Sequence, residues 1–210
     1  MEKEKLLEIL GQAKAIIQDS HIVYTSGKHG SAYVNKDAIY PHTTLTSDLT
    51  LAMAKLFSEK QIDVVVAPVI GGVILSQWIA FHLTQLSGKE VLGVYAEKSE
   101  QAPGFELKRG YGKLVEGKNV LVVEDILNTG GSIKKVVEML QPLNTNIVGV
   151  AAICNRGNVK AEDLGVSELK SLLDVQLDAW SEQDCPLCKN DVPINVEVGK
   201  GALYLAAKQK

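Results

Sequence analysis

Glu124 and Asp125 stand side by side directly after the apolar run Val120-Leu121-Val122-Val123, and Asn128-Thr129-Gly130-Gly131-Ser132 follows within a few positions. Paired acids repel a phosphate but are good acceptors for vicinal hydroxyl groups. Paired glycines do the complementary work, letting the backbone turn sharply and letting an anion approach the main chain. A helix opening at Gly131 adds unpaired N–H donors and a favourable dipole. Acids beside such an anion nest suit a sugar that carries both a diol and a phosphate, as a ribose 5-phosphate does. An acidic strand end with Thr129 or Ser132 as an N-cap accounts for the cap, but not for the two acids and two glycines together.

Other phosphate-binding patterns lack their context. There is no Gly-x-x-x-x-Gly-Lys-Ser/Thr loop, and Gly110-Tyr111-Gly112 is read as neither following a strand nor opening a helix. Cys185-x-x-Cys188 has the spacing of half a zinc site. With no second pair and no histidine near it in sequence, no metal held directly by protein ligands is expected.

These groups need a scaffold that gathers distant loops at one edge. Val64 to Ala67, Val91 to Tyr95, Asn119 to Val123 and Ile147 to Cys154 are apolar on consecutive positions, whereas Gly71 to Leu86 and Gly131 to Leu140 read as helices between them. Strands apolar on both faces and interleaved with helices imply an α/β fold, an open and mostly parallel sheet flanked by helices. Ligands then bind beyond the carboxyl ends of the strands, which directs attention to Pro68 to Gly72, Glu97 onward, Glu124 to Ser132 and Asn155-Arg156. Outside this core, Glu4 to Gln18 reads as an amphipathic helix and Thr46 to Ser58 as another. Ile22 to Thr25 and Ala32 to Asn35 read as short strands around the polar loop Ser26 to Ser31. Lys98 to Lys118 is a long polar connection of the kind that serves as a mobile lid. Leu169 to Leu177 reads as a strand, and Cys185 to Gly201 as turn-rich.

At 210 residues the chain can bury the core of one domain with a small appended lobe. Hydrophobic residues at 46% and charged residues at 22% are those of a globular protein and suggest neither a disordered nor a coiled-coil chain. A net charge of -3 gives no broad basic field, so nucleic acid is not an expected partner. Met1 to Lys14 has no apolar run of signal or membrane type, and the three cysteines are too few and too uneven for a disulfide framework. A cytoplasmic protein with no membrane attachment is expected.

Val120 to Ser132 resembles the phosphoribosyl pyrophosphate (PRPP) signature of type I phosphoribosyltransferases: apolar residues, two acids, then Thr-Gly-x-Ser. Three further stretches, Tyr24 to Tyr33, Ala67 to Leu75 and Lys108 to Tyr111, extend the resemblance to the orotate phosphoribosyltransferase family over most of the chain. The resemblance implies transfer of a phosphoribosyl group from PRPP to a nucleobase, orotate before a purine, with Mg²⁺ as cofactor and a homodimer as the working assembly. A PRPP-binding regulator without turnover is the alternative of a different class. By the same resemblance, Glu124 and Asp125 meet the ribose hydroxyls, Thr129, Gly130, Gly131 and Ser132 hold the 5-phosphate with Asn128 also among the PRPP-binding residues, and Gly71 and Gly72 lie in a pyrophosphate loop. Lys28, Tyr33, Asn128 and Arg156 would contact the base, Arg156 offering its planar fork to a carboxylate. Lys98, Lys108, Arg109 and Asp125 are the catalytic candidates. The chain departs from the family's pattern at Asn128, usually threonine, at Glu97 before Lys98, often arginine, and at Gly71, often lysine. The lid also lacks the Lys-x-His-Gly run common in bacterial enzymes. One domain over residues 1–210 is expected, its core spanning about 45–156 and a hood formed by about 1–40 and 160–210.

Overall fold

A computed structural model describes residues 3–100, 103–175 and 177–208. In chain order the elements are α1 (Lys3–Gln12), β1 (Ile16–Ile17), β2 (Ile22–Val23), β3 (His29–Gly30), β4 (Tyr33–Val34), α2 (Thr43–Lys55), β5 (Val64–Pro68), α3 (Gly71–Ser87), β6 (Leu92–Lys98), β7 (Phe105–Glu106), α4 (Tyr111–Val115), β8 (Asn119–Leu127), α5 (Gly131–Leu140), β9 (Asn146–Asn155), α6 (Ala161–Leu164), β10 (Leu169–Asp174), α7 (Pro186–Lys189) and α8 (Gly201–Lys208). The chain divides into two compact units, Met1–Leu6 with Thr43–Val175, and Leu7–His42 with Gln176–Lys210.

The first unit is built on a six-stranded sheet in the order β10-β9-β8-β5-β6-β7. All its pairings are parallel except β6 with β7. Every residue of β5 is buried, as its unbroken Val-Val-Val-Ala run requires of a strand covered on both faces. From the centre, the β5–α3–β6 crossover runs toward one edge of the sheet and β8–α5–β9 toward the other. Right-handed crossovers in opposite directions place α3 and α5 on opposite faces. Burial agrees with this: Val64, Val66, Val120 and Val122 pack in one cluster with Ile133, Val136, Val137 and Leu140 of α5. The gap between β5 and β8 is therefore the topological switch point, and a ligand crevice is expected beyond the carboxyl ends of those two strands.

Several sequence expectations are corrected here. α1 ends at Gln12, short of Gln18, because Lys14 adopts φ 50° and turns the chain. Ile16 and Ile17 then pair with Val34 and Tyr33 instead of continuing the helix. α2 starts at Thr43 and ends at Lys55, earlier than expected at both ends. β8 runs on to Leu127, so Glu124 and Asp125 lie inside the strand and not after it. The connection expected as an open lid contains structure: Glu97 and Lys98 pair with Glu106 and Phe105, and Gly110, at φ 80°, opens the short helix α4. Residues 101 and 102 of that connection lie outside the described residues. The strand expected through Leu177 ends at Asp174, with residue 176 outside the described residues. Because β10 pairs with β9, residues up to Val175 belong with the sheet and not with the hood.

The second unit has little regular structure. β1 pairs antiparallel with β4 and β2 with β3. The C-terminal segment joins this hairpin through reciprocal backbone bonds between His29 and Trp180, both 2.8 Å, and through an Asn195 N–H donated to the His21 carbonyl at 2.8 Å. Among the described residues, no helix is long and apolar enough to cross a membrane.

Candidate active site

At the carboxyl end of β8 a cleft of about 140 Å³ is lined by Glu124, Ile126, Leu127, Asn128, Thr129, Gly130, Gly131, Ser132 and Ile133. Gly130 takes φ 71° and begins α5, and no side chain caps that helix end. The alternative reading of Thr129 or Ser132 as the N-cap residue is not what forms; only a long 3.4 Å contact runs from the Gly131 N–H to Thr129 Oγ1, and the other amides at the start of α5 can face an anion. Glycine is required at 130 twice over, since a Cβ there would also lie 2.6 Å from Leu164 Cδ2 and 3.0 Å from Val159 Cγ1.

The two acids divide. Strand alternation puts Glu124 on the face of Val120 and Val122, where it opens onto the cleft. Asp125 shares the face of Leu121 and Val123, is 5% exposed and does not line the cleft. Its Oδ1 accepts the Ile126 N–H at 2.7 Å, while Glu124 Oε1 accepts the Asp125 N–H at 3.1 Å.

Arg156 and Asn128 meet at the rim: the Arg156 Nε–H donates to Asn128 Oδ1. Their loops approach closely because the amides of Arg156 and Gly157 both donate to the Leu127 carbonyl, at 3.0 and 3.2 Å. A Cβ at Gly157 would collide with the Asn128 carbonyl. The amide at 128, unusual for the resemblance, thus orients the neighbouring guanidinium. Beneath Arg156, burial pushes the Cys154 thiol up to about 11, so it stays a protonated core residue.

The Pro68–Gly72 turn leads from β5 into α3, with a cis peptide between Val69 and Ile70. Gly72 is needed where helix and strand touch, because a Cβ there would fall 2.6 Å from the Ala67 Cβ. The expected catalytic cations lie in the β6–α4 region, and Lys108 and Arg109 are engaged with acids. Lys108 Nζ is 3.2 Å from Glu100 Oε1 and 3.5 Å from Glu106 Oε1. Arg109 Nη2 is 3.1 Å from Glu97 Oε1, with its guanidinium 5.9 Å from the Tyr95 ring centre. The hydrogen bond to Glu100 raises the Lys108 pKa, and the charge of Glu97 raises that of Arg109. Glu97, another departure from the pattern, is the acid that holds Arg109. Lys98 ends β6, exposed, and pairs with Phe105. None of these three lines the cleft at Glu124–Ile133. Lys28 and Tyr33 belong to the second unit, Lys28 exposed in the turn between β2 and β3 and Tyr33 half-buried on β4. A cavity of about 300 Å³ at the amino ends of β5 and β6, lined by Lys60, Asp63 and Glu90 among others, has neither paired glycines nor a helix start and is no rival for the phosphate.

The sequence of the phosphoribosyl transferase domain family matches residues 35–185. An orotate phosphoribosyltransferase of Thermoanaerobacter sp. (strain X514) is 35% identical over 196 residues, covering 92% of this chain and 96% of its own. One of Thermotoga maritima is 34% identical over 194 residues, covering 92% and 97%. The chain belongs to the orotate phosphoribosyltransferase family. Solved structures add the fold. The orotate phosphoribosyltransferase of Mycobacterium tuberculosis superposes with a TM-score of 0.63 at 22% identity, over 82% of this chain and 95% of that one. An adenine phosphoribosyltransferase of Thermoanaerobacter pseudethanolicus gives 0.60 at 18%, over 82% and 99%. The same architecture thus serves enzymes named for different bases, and the fold alone does not name the base. Within this family, the cleft at the start of α5 coincides with the PRPP signature read from Val120 to Ser132.

One constellation escaped the sequence reading. His21 and His29 lie against Cys185 and Cys188, all in the second unit. The Cys-x-x-Cys spacing was visible, but its histidines stand more than 150 positions away, with separations such as 164 and 159 along the chain. Only the hairpin β2–β3 brings them there.

Proposed function

We propose that this chain transfers the 5-phosphoribosyl group of PRPP to orotate, giving orotidine 5′-phosphate and pyrophosphate. The observation that carries the reading is the cleft of Glu124–Ile133, an uncapped helix start beside an acid at the sheet's switch point, in a chain of this family. The 5-phosphate sits against the amides of Thr129–Ser132, where helix dipole and N–H donors favour an anion. Glu124 accepts from the ribose hydroxyls. Asp125, buried and bonded to the Ile126 amide, fixes the strand end that presents Glu124 and serves as a positioning residue. Arg156, oriented by Asn128, pairs with the orotate carboxylate, and Lys28 and Tyr33 are proposed as base-binding residues by the family resemblance. Gly71 and Gly72 let the turn after β5 approach the pyrophosphate.

The C1–O bond to pyrophosphate breaks as a C1–N bond forms, and the base nitrogen gives up its proton to the departing pyrophosphate. Negative charge gathers on the leaving group, and Lys98, Lys108 and Arg109 are proposed to neutralise it, Lys108 and Arg109 by exchanging their carboxylate partners for phosphate oxygens. Exposed ion pairs of this kind are screened by water and hold their partners weakly, so the exchange is inexpensive. Mg²⁺ fits the donor chemistry here, since Glu124 offers a hard oxygen and Mg²⁺ commonly takes one or two carboxylates with waters and substrate phosphates. When bound, it would neutralise the pyrophosphate oxygens. The β6–α4 segment, closing over the substrates, would exclude water that could hydrolyse PRPP. The working assembly is proposed to be a homodimer in the cytoplasm.

Incubation with PRPP, Mg²⁺ and a panel of bases, followed by pyrophosphate release, tests the reading. Release with orotate supports it. Release with a purine alone would replace it with the purine enzyme, and silence with every base despite PRPP binding would replace it with the regulator.

A further inference from the structure

The second unit carries a cluster that PRPP chemistry does not use. His21, His29, Cys185 and Cys188 each offer one nitrogen or sulfur, and the four atoms lie within 4.8 Å of one another. His21 Nε2 is 2.8 Å from His29 Nδ1, Cys188 Sγ is 3.3 Å from His29 Nδ1 and 3.6 Å from His21 Nε2, and Cys185 Sγ is 3.7 Å from His21 Nε2. A tetrahedral zinc ion, with nitrogen at about 2.0 Å and sulfur at about 2.3 Å, sets N···S edges of roughly 3.6 Å and an N···N edge of roughly 3.3 Å. The three N···S distances fall on that figure, and the N···N edge needs to open by only about half an ångström.

Burial and tautomer point the same way. His29 and Cys185 are 0% exposed and His21 is 2% exposed, so these polar groups have left water and need partners. His21 Nδ1 lies 2.7 Å from the Val192 carbonyl, which can only accept, so the proton sits on Nδ1 and the lone pair of Nε2 faces the sulfurs. A backbone carbonyl holding the outer nitrogen of a histidine is the usual support of a metal ligand. The backbone is arranged for convergence too. β3 pairs Val23 with His29, a parallel bridge joins His21 to Ile194, and the helical turn Pro186–Lys189 brings Cys185 and Cys188 to one side. Hydrogen bonding alone satisfies the group poorly, because it leaves two thiols with little but each other and the imidazoles.

We propose that His21, His29, Cys185 and Cys188 bind one zinc ion as a closed, structural site. Two thiolates and two imidazoles at tetrahedral spacing select Zn²⁺ over the oxygen-seeking Mg²⁺. All four positions are filled by protein, so the ion has no open site for chemistry. Its work is to staple two segments far apart in sequence, Leu7–His42 and Gln176–Lys210, in a unit whose strands are two residues long. Small units with so little regular structure need such staples. Lys28 immediately precedes the ligand His29, so the ion would also fix the loop assigned to the base. That consequence rests on the functional reading, whereas the metal content does not.

The full-length chain, expressed with zinc and purified under reducing conditions without chelator, is to be analysed for metal by mass spectrometry. About one zinc per chain is expected, with both thiols shielded from a thiol reagent until a strong chelator is added. Cobalt substitution should give sulfur-to-metal charge-transfer absorption that is lost in Cys188→Ser and weakened in His29→Ala. Zinc below about a tenth of an equivalent in the wild-type chain, with Cys185 and Cys188 freely reactive or joined in a disulfide, would overturn the proposal. The wild-type measurement needs no variant to fold, and activity enters none of these readouts.

Discussion

Arg156 and Lys108 make opposite kinds of contact, and the difference can be tested residue by residue. The Arg156 guanidinium is held by Asn128 at the rim of the cleft, and the proposal gives its planar fork to a carboxylate. Lysine cannot reproduce that fork. Arg156→Lys is expected to raise the orotate KM about tenfold, equivalent to ~1.4 kcal/mol, and to leave the PRPP KM within about twofold. Equal changes in both constants in steady-state kinetics would place Arg156 elsewhere. Lys108 is paired with Glu100 and Glu106 at the surface, where ion pairs contribute little to stability. Lys108→Ala should therefore leave the melting temperature nearly unchanged while lowering kcat by about 100-fold, the scale of losing one charge-stabilising donor. A variant of undiminished kcat would remove Lys108 from the mechanism.

Among the elements, α3 depends on two contacts whose removal should be measurable. Gly72 lets its first turn lie against Ala67 of β5. Gly72→Ala is expected to destabilise by about 1–3 kcal/mol in chemical denaturation, the usual cost of overpacking, and a neutral result would show that the helix shifts freely. Farther along, His82 is 8% exposed, accepts or donates a 3.2 Å bond with Ser47 Oγ of α2, and has its pKa lowered mainly by burial. A folded pKa below the unfolded value of about 6.5 means that the unfolded chain binds the proton first. Stability is thus full above about pH 6.5 and falls as pH drops from there through the lower folded pKa. His82→Gln should flatten that acid limb of the melting curve, and an unchanged limb would assign it to other groups. These contacts also show what sequence could reveal. α5 was legible to the residue, Gly131 to Leu140, because the glycines and the apolar spacing are local signals. The end of α1 was not, since Ile16-Ile17 continues the helical pattern and is drawn off by pairing with Val34 and Tyr33. The β6–β7 hairpin was hidden likewise by a polar sequence whose order comes from cross-strand pairing.

At the level of the whole molecule, the first unit's architecture follows from the alternation of apolar strands and helices, and its ligand site from where the crossovers part. The second unit's organisation does not, because its histidines and cysteines meet only through folding of segments from both ends of the chain. Exposed Ile74 and Phe81 on α3, at 36% and 52%, offer an apolar stripe that an identical chain could cover. Sedimentation equilibrium is expected to report a dimer, and a monomer at working concentration would refute that assembly. The central claim is that the cleft between Glu124 and Ile133 holds the ribose phosphate of PRPP. Titration calorimetry with PRPP and Mg²⁺, on wild type and Glu124→Gln, tests it most directly. Saturable binding to the wild type is expected, with about tenfold weaker binding to the variant, which loses a charged acceptor for the diol. An absence of binding heat in the wild type, or equal affinity in both proteins, would contradict it.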